Sequence, residues 1–88
     1  MRRYKLEITH QAESVLKRIA ERDTGLYRRL TNVLDSLEAD PCQGKALKDM
    51  LKGFYSYRVG SYRIIYQIFR QRLLVIVIDI GYHCDIYR

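Results

Sequence analysis

The sequence predicts a small α+β domain: an N-terminal strand and an antiparallel helical hairpin, then a three-stranded antiparallel meander, with the helices packed on one face of the sheet. Three observations predict it. Apolar residues recur at helical spacing twice between residues 10 and 40. After residue 53 the period changes to two, in runs rich in Tyr, Ile and Val on either side of Gly60-Ser61. Leu73 to Ile78 is a continuous apolar run, as expected of a central strand covered on both faces. At 88 residues, the chain makes one domain spanning 1–88, with one small core.

The first strand is Tyr4 to Ile8, where Tyr4, Leu6 and Ile8 alternate with Lys5 and Glu7. Thr9 can cap the helix that follows, because its hydroxyl can accept from a free backbone N–H of the first turn. Ala12, Val15, Leu16, Ile19 and Ala20 then form one amphipathic stripe. Asp23-Thr24-Gly25 breaks the pattern before a second stripe of Leu26, Leu30, Val33, Leu34 and Leu37. Arg22, Arg28 and Arg29 lie outside these stripes and read as solvated surface. So short a break predicts an antiparallel helix pair. Asp40-Pro41 ends it, because a residue before proline is pushed out of the helical region. Residues 42–52 hold Gly44, Lys45, Lys48 and Lys52 and read as a basic loop or a single helical turn.

Three strands follow, at about 54–59, 62–69 and 72–80. Gly60-Ser61 reads as a two-residue hairpin turn, which places Val59 opposite Tyr62 and Arg58 opposite Arg63. Like charges directly opposite destabilise a sheet, and a guanidinium cannot lose its proton to escape. Either the two arginines splay into solvent, or something anionic sits between them. A turn near Arg70-Gln71 would set Arg63 opposite Ile78. Tyr55, Tyr57, Val59, Tyr62, Ile64, Tyr66, Ile68, Val75 and Val77 then face the helices. Ser56, Arg58, Arg63, Ile65, Gln67, Ile76, Ile78 and Ile80 share the other face, a mixed surface suited to a ligand or partner. Gly81 is expected to bend the chain.

The formal net charge of +6 favours a polyanionic partner such as nucleic acid, or an acidic protein. Residues 1–41 carry a net charge of +1 and residues 42–88 a net charge of +5, so the excess lies in the half that holds the hairpin. No apolar run is long enough for a membrane span, and no apolar signal region follows Arg2 and Arg3. Cys42 and Cys84 lack metal-ligand spacing and read as unbridged cytosolic thiols. No glycine-rich phosphate loop and no Ser or Cys nucleophile motif is present in the sequence.

The chemical candidates are Arg58, Arg63, His83, Asp85 and Tyr87, with the lysines of 45–52 behind them. With no CxxC or HExxH pattern, the residues do not point to metal-assisted hydrolysis, and no cofactor is expected. Arginines converging with a His or Tyr suit metal-free cleavage of RNA. A base removes the 2′-hydroxyl proton, cations hold the charge on the phosphate, and the products are a 2′,3′-cyclic phosphate and a 5′-hydroxyl. Each residue also has a structural reading. The arginines can be hairpin-tip surface, His83 and Tyr87 can be packing residues, and an unperturbed phenol with a pKa of about 10 is a poor base.

The element order, with LKGFYSYRVGSYRIIYQI followed by VIDIGYHCDIY, resembles the RelE/ParE superfamily of toxins from toxin–antitoxin operons. The likeness covers essentially the whole chain. Its specific part is Leu51-Lys52-Gly53, Tyr57-Arg58-Val59-Gly60 and Tyr62-Arg63, while the helices contribute only pattern. For RelE-like members the resemblance implies metal-independent endonucleolytic cleavage of mRNA, often in the ribosomal A site, and hence inhibition of translation in the cytoplasm. It assigns Arg63 to the scissile phosphate, Arg58 to a basic position on the preceding strand, and Tyr87 to the closing acidic-aliphatic-Tyr motif. Many relatives read Gly-His-Arg where this chain has Gly81-Tyr82-His83, so His83 becomes a candidate general acid. Ser56 stands where many relatives carry another basic residue.

Lys45, Lys48 and Lys52 are expected to grip RNA backbone. The implied partners are mRNA, the ribosome and a cognate, acidic antitoxin in a hetero-oligomer, with no membrane. The alternatives are a ParE-like toxin that binds DNA gyrase without catalysis, and a basic RNA-binding module.

Overall fold

The structure, a computed structural model, describes residues 3–47 and 53–82. Strand β1 (Lys5–Ile8) runs into helix α1 (His10–Arg22), and α2 (Thr24–Ala39) follows after one non-helical residue. That residue, Asp23, serves both helices. Its N–H donates to the Ile19 carbonyl at 2.7 Å, and its side-chain oxygen accepts from the Leu26 N–H at 3.0 Å. Gly25, read from sequence as part of the break, therefore lies in the first turn of α2. Asp40 ends α2, and its carboxylate accepts from Cys42 N–H at 3.2 Å as the chain turns through Pro41–Gln43. Both predicted stripes turn inward: Ala12, Leu16, Ile19, Leu30, Leu34 and Leu37 are buried.

The sheet has five strands in the order β1-β5-β4-β3-β2. Strand β2 (Lys45–Ala46) lies in the stretch expected to be a loop or helical turn, and pairs antiparallel with β3 (Phe54–Val59). Strands β3 and β4 (Tyr62–Phe69) form the predicted hairpin, with Arg58 opposite Arg63 and Val59 opposite Tyr62. Strand β5 (Leu74–Tyr82) is central, antiparallel to β4 and parallel to β1. Gly81 continues this strand rather than bending it.

Two features correct the expected register of β4 against β5. The turn is Arg70–Arg72 followed by Leu73, so β5 begins later than the predicted residue 72 and Phe69 pairs with Leu74. Leu73 adopts the left-handed conformation (φ 50°), which costs a side chain more than it costs glycine. A β-bulge then leaves Ile78 as the extra residue between the pairs Ile65–Asp79 and Tyr66–Val77. Arg63 consequently lies opposite Gly81, not Ile78, and Ile80 moves from the expected outer face into the core opposite Ile64. The nine residues assigned from sequence to the helix-facing side all belong to the core cluster or pack against it.

Thr9 ties the bulge to the start of α1. Its hydroxyl donates to the Ile78 carbonyl at 2.7 Å and accepts from the Ala12 N–H at 3.2 Å, while its own N–H donates to the Val77 carbonyl. One hydroxyl thus satisfies a helix-end donor and a carbonyl at a disrupted ladder position. Thr9→Val keeps the shape and removes both bonds. It is expected to lower unfolding free energy by about 1–3 kcal/mol, whereas Thr9→Ser should retain most of the native stability. Urea midpoints for the two variants that match each other would show that the hydroxyl does not hold this junction.

Candidate functional site

The outer face is built from the hairpin turn upward. Gly60 has φ +60° and Ser61 does not have a positive φ, an arrangement that places glycine at the first central position of the turn. The guanidinium of Arg29 on α2 lies beside this turn, with Nη1 3.6 Å from where a Gly60 Cβ would sit. Alternation then carries Val59, Ile64 and Tyr66 into the core and Ser56, Arg58 and Arg63 to the side away from the helices.

The two facing arginines resolve their conflict unequally. Arg58 is exposed, whereas Arg63 is half-buried and extends along the sheet, its Nη1 donating to Ser56 Oγ at the long distance of 3.5 Å. Of the two outcomes open from sequence, splaying into solvent describes Arg58 only. Arg63 takes the diagonal toward Ser56, itself buried at 6% exposure. A guanidinium presented this way on a half-dry surface is a donor set for a planar or tetrahedral oxyanion.

Lys45 meets the same face from the other side. It lies directly opposite Ser56 in the β2–β3 ladder and is exposed. Ahead of it, the hydroxyl of Tyr66 donates to the Pro41 carbonyl at 2.7 Å and accepts from the Gly44 N–H at 2.9 Å. Tyr66 is fully buried, and burial pushes its phenol up to about 12. From sequence, Tyr66 belongs to the core on the strength of its ring alone. The overlooked signal was its hydroxyl, since a buried Tyr needs a partner for its O–H.

Arg70 adds a second tie to this segment, with Nη2 3.3 Å from both Cys42 Sγ and the Tyr55 hydroxyl. Cys42 is an exposed free thiol. On the helix side, Tyr62 and Tyr82 stack with centroids 4.5 Å apart. They line a groove of about 730 Å³ with Arg18, Arg22, Asp79 and Leu26, on the opposite side of the sheet from Arg58 and Arg63. Of the predicted site residues, Arg58, Arg63 and Lys45 share one face. His83, Tyr87, Lys48 and Lys52 lie outside the described residues, as does Cys84. Among the described residues no cluster of three His, Cys, Asp or Glu side chains could hold a metal ion, and no helix is long and apolar enough to cross a membrane.

A family model described as the ParE toxin of the type II toxin–antitoxin system parDE matches residues 6–87. Toxin RelG of Mycobacterium tuberculosis is 38% identical over 45 residues, 51% of this chain and 52% of that protein. The chain thus spans about half the length of the curated relative it matches. Among solved structures, the toxin–antitoxin complex RelBE2 from Mycobacterium tuberculosis aligns with a TM-score of 0.78 at 23% identity, covering 92% of this chain and 99% of the other. The YoeB/ParE toxin from Agrobacterium tumefaciens aligns with a TM-score of 0.80 at 19% identity, covering 90% and 98%. At these identities the structural likeness concerns the fold.

The raised Tyr66 phenol has a consequence for stability. Above pH 10 the unfolded chain gives up this proton while the folded chain keeps it until about 12. The stabilisation is therefore whole below about pH 10 and is lost as pH rises toward 12. Thermal unfolding followed across that window should show a steeper fall for the native chain than for Tyr66→Phe. Parallel curves would mean that the hydroxyl is not held as described.

Proposed function

This chain belongs to the ParE toxin family of type II toxin–antitoxin systems, within the RelE/ParE superfamily. From that premise we propose that it is a RelE-like toxin, a metal-independent endoribonuclease that cleaves mRNA on the ribosome in the cytoplasm and so stops translation. The single observation that supports this reading best is the pair Arg58 and Arg63, cross-strand neighbours on the sheet face away from the helices. A purely structural sheet gains nothing from two cations placed opposite each other. A phosphate bound there makes the repulsion useful.

In this mechanism the RNA supplies its own nucleophile. The 2′-oxygen attacks the adjacent phosphorus, the bond from phosphorus to the 5′-oxygen breaks, and the products are a 2′,3′-cyclic phosphate and a 5′-hydroxyl. A guanidinium stays protonated, so Arg63 and Arg58 stabilise charge on the phosphate oxygens rather than move protons. Proton transfer falls to two C-terminal residues, Tyr87, which matches the family's closing motif, and His83, which stands where that motif differs. Tyr87 takes the 2′-hydroxyl proton or stacks on a base; a guanidinium near a phenol favours the phenolate. His83 donates to the leaving 5′-oxygen, a role open to histidine as a side-chain type because its unperturbed pKa is about 6.5. Lys45, Lys48 and Lys52 contact backbone phosphates. The partner that restrains the toxin is a cognate, acidic antitoxin in a hetero-oligomer. The toxin–antitoxin complex among the structural relatives and the net charge of +6 support that assignment.

The test is to map mRNA ends in a translation reaction containing the purified chain. Cyclic-phosphate ends are expected, and Arg63→Ala should reduce cleavage by about 100-fold or more, the usual cost of removing one transition-state donor. Intact mRNA together with stalled gyrase–DNA complexes would replace this reading with a gyrase-binding toxin, the other branch of the superfamily. For His83, the cleavage rate should depend on pH between about 5 and 8, and that dependence should vanish in His83→Ala. A flat native profile would remove His83 from the proton transfer.

A further inference from the structure

Resting on the RNA reading above, we propose that Lys45 is the third phosphate-binding cation of the arginine face, in the place that Ser56 leaves uncharged. Tyr66 is the positioning residue that holds it there. From sequence, Lys45 is one of three lysines in an irregular basic stretch, and Ser56 is an uncharged residue on the face of Arg58 and Arg63. The register joins the two: Lys45 and Ser56 are directly opposite each other in the β2–β3 ladder. Directly opposite residues share a face and have Cβ atoms about 5 Å apart, so a lysine there covers the space above its partner. Ser56 is short and buried, and the guanidinium of Arg63 reaches it from the β4 side. Cations from β2 and β4 therefore flank Ser56, and Arg58 stands two residues along β3 on the same face.

A strand of two residues does not hold itself in place. The ladder at Lys45–Ala46 is extended by one further bond, from the Leu47 N–H to the Phe54 carbonyl at 2.9 Å. The anchor is on the other side. The Tyr66 hydroxyl brackets the preceding segment, donating to Pro41 and accepting from Gly44, the residue before Lys45. Gly44 has no room for a side chain. A Cβ would run into the Tyr66 hydroxyl, and would lie 2.7 Å from the Ser56 carbonyl oxygen, a backbone atom that cannot move aside. Glycine is needed here for close approach, and that approach seats the start of β2 against Ser56 itself. Tyr66 sits in the centre of the core and touches no solvent, so it acts on RNA only through Lys45.

The measurement is binding of a short single-stranded RNA carrying 2′-O-methyl groups, which cannot undergo 2′-hydroxyl attack, followed by fluorescence anisotropy over a salt series. Each phosphate of a single strand that the protein no longer neutralises lowers the slope of log K against log salt by about 0.7. Lys45→Ala is expected to weaken binding and lower the slope by about that amount, and Ser56→Lys in the Lys45→Ala background should restore it. Tyr66→Phe should give the same decrease in slope as Lys45→Ala, and the double variant should be no worse than Lys45→Ala alone. A Tyr66→Phe decrease that adds to that of Lys45→Ala would overturn the positioning role. An unchanged slope in Lys45→Ala, with Arg63→Ala still lowering it, would overturn the third-cation role while leaving the nuclease reading intact. A native chain that binds this RNA without salt dependence would bring down both. If Tyr66→Phe does not fold, the Lys45→Ala and Ser56→Lys pair still decides the assignment of the third cation.

Discussion

Everything on the outer face depends on the register of one hairpin. A two-residue turn at Gly60-Ser61 leaves no freedom in how β3 and β4 pair, and side chains in a strand alternate with period two. A slip of one residue would bury Arg58 and Arg63 and expose Ile64 and Tyr66, which the core could not survive. The same register that fills the core with Val59, Ile64 and Tyr66 therefore forces two guanidiniums to face each other. Their repulsion is the cost of this arrangement, and it is reduced because Arg58 turns to solvent while Arg63 follows the diagonal to Ser56.

The central strand β5 shows how tertiary contacts adjust a pattern that local sequence sets only coarsely. Its apolar run identifies a strand buried between neighbours, and it does pair with both β1 and β4. Where it begins is less legible, because the turn before it is closed by Leu73 in a left-handed conformation that usually selects Gly or Asn. The bulge at Ile78 is also hidden. Nothing in LLVIVIDI distinguishes the residue that will be left out of the ladder. Its carbonyl is met by Thr9, from the far end of the chain. The shift carries Ile80 into the core and Gly81, which has no side chain, to the position opposite Arg63.

The candidate site divides in the same way. Arg58 and Arg63 could be paired from the turn alone, because their relation is local. Lys45 could not, because β2 is too short to be seen as a strand and its neighbour β3 lies across the stretch 48–52. What seats it is a hydroxyl from β4, the glycine that allows close approach, and the carbonyl of Pro41. A lysine read as one of a loose group thereby becomes the cross-strand neighbour of Ser56, and a tyrosine read as core filler becomes the anchor of that strand.

By itself, then, the sequence determined the α+β class, both helices, the hairpin and the separation of a helix-facing side from a cationic one. Turn chemistry, capping and hydrophobic period act between residues close in the chain, which is why they can be read in order. Only the tertiary structure decided that Gly81 faces Arg63, that Ile80 is core, that the two arginines differ in exposure, and that Lys45 pairs with Ser56. Apart from the arginines, whose difference follows from the Arg63–Ser56 bond within the hairpin, these outcomes rest on a hydrogen bond or a close backbone approach between residues far apart in sequence, as with Thr9 and Ile78 or Tyr66 and Pro41. Local pattern carries no information about such partners until the fold brings them together.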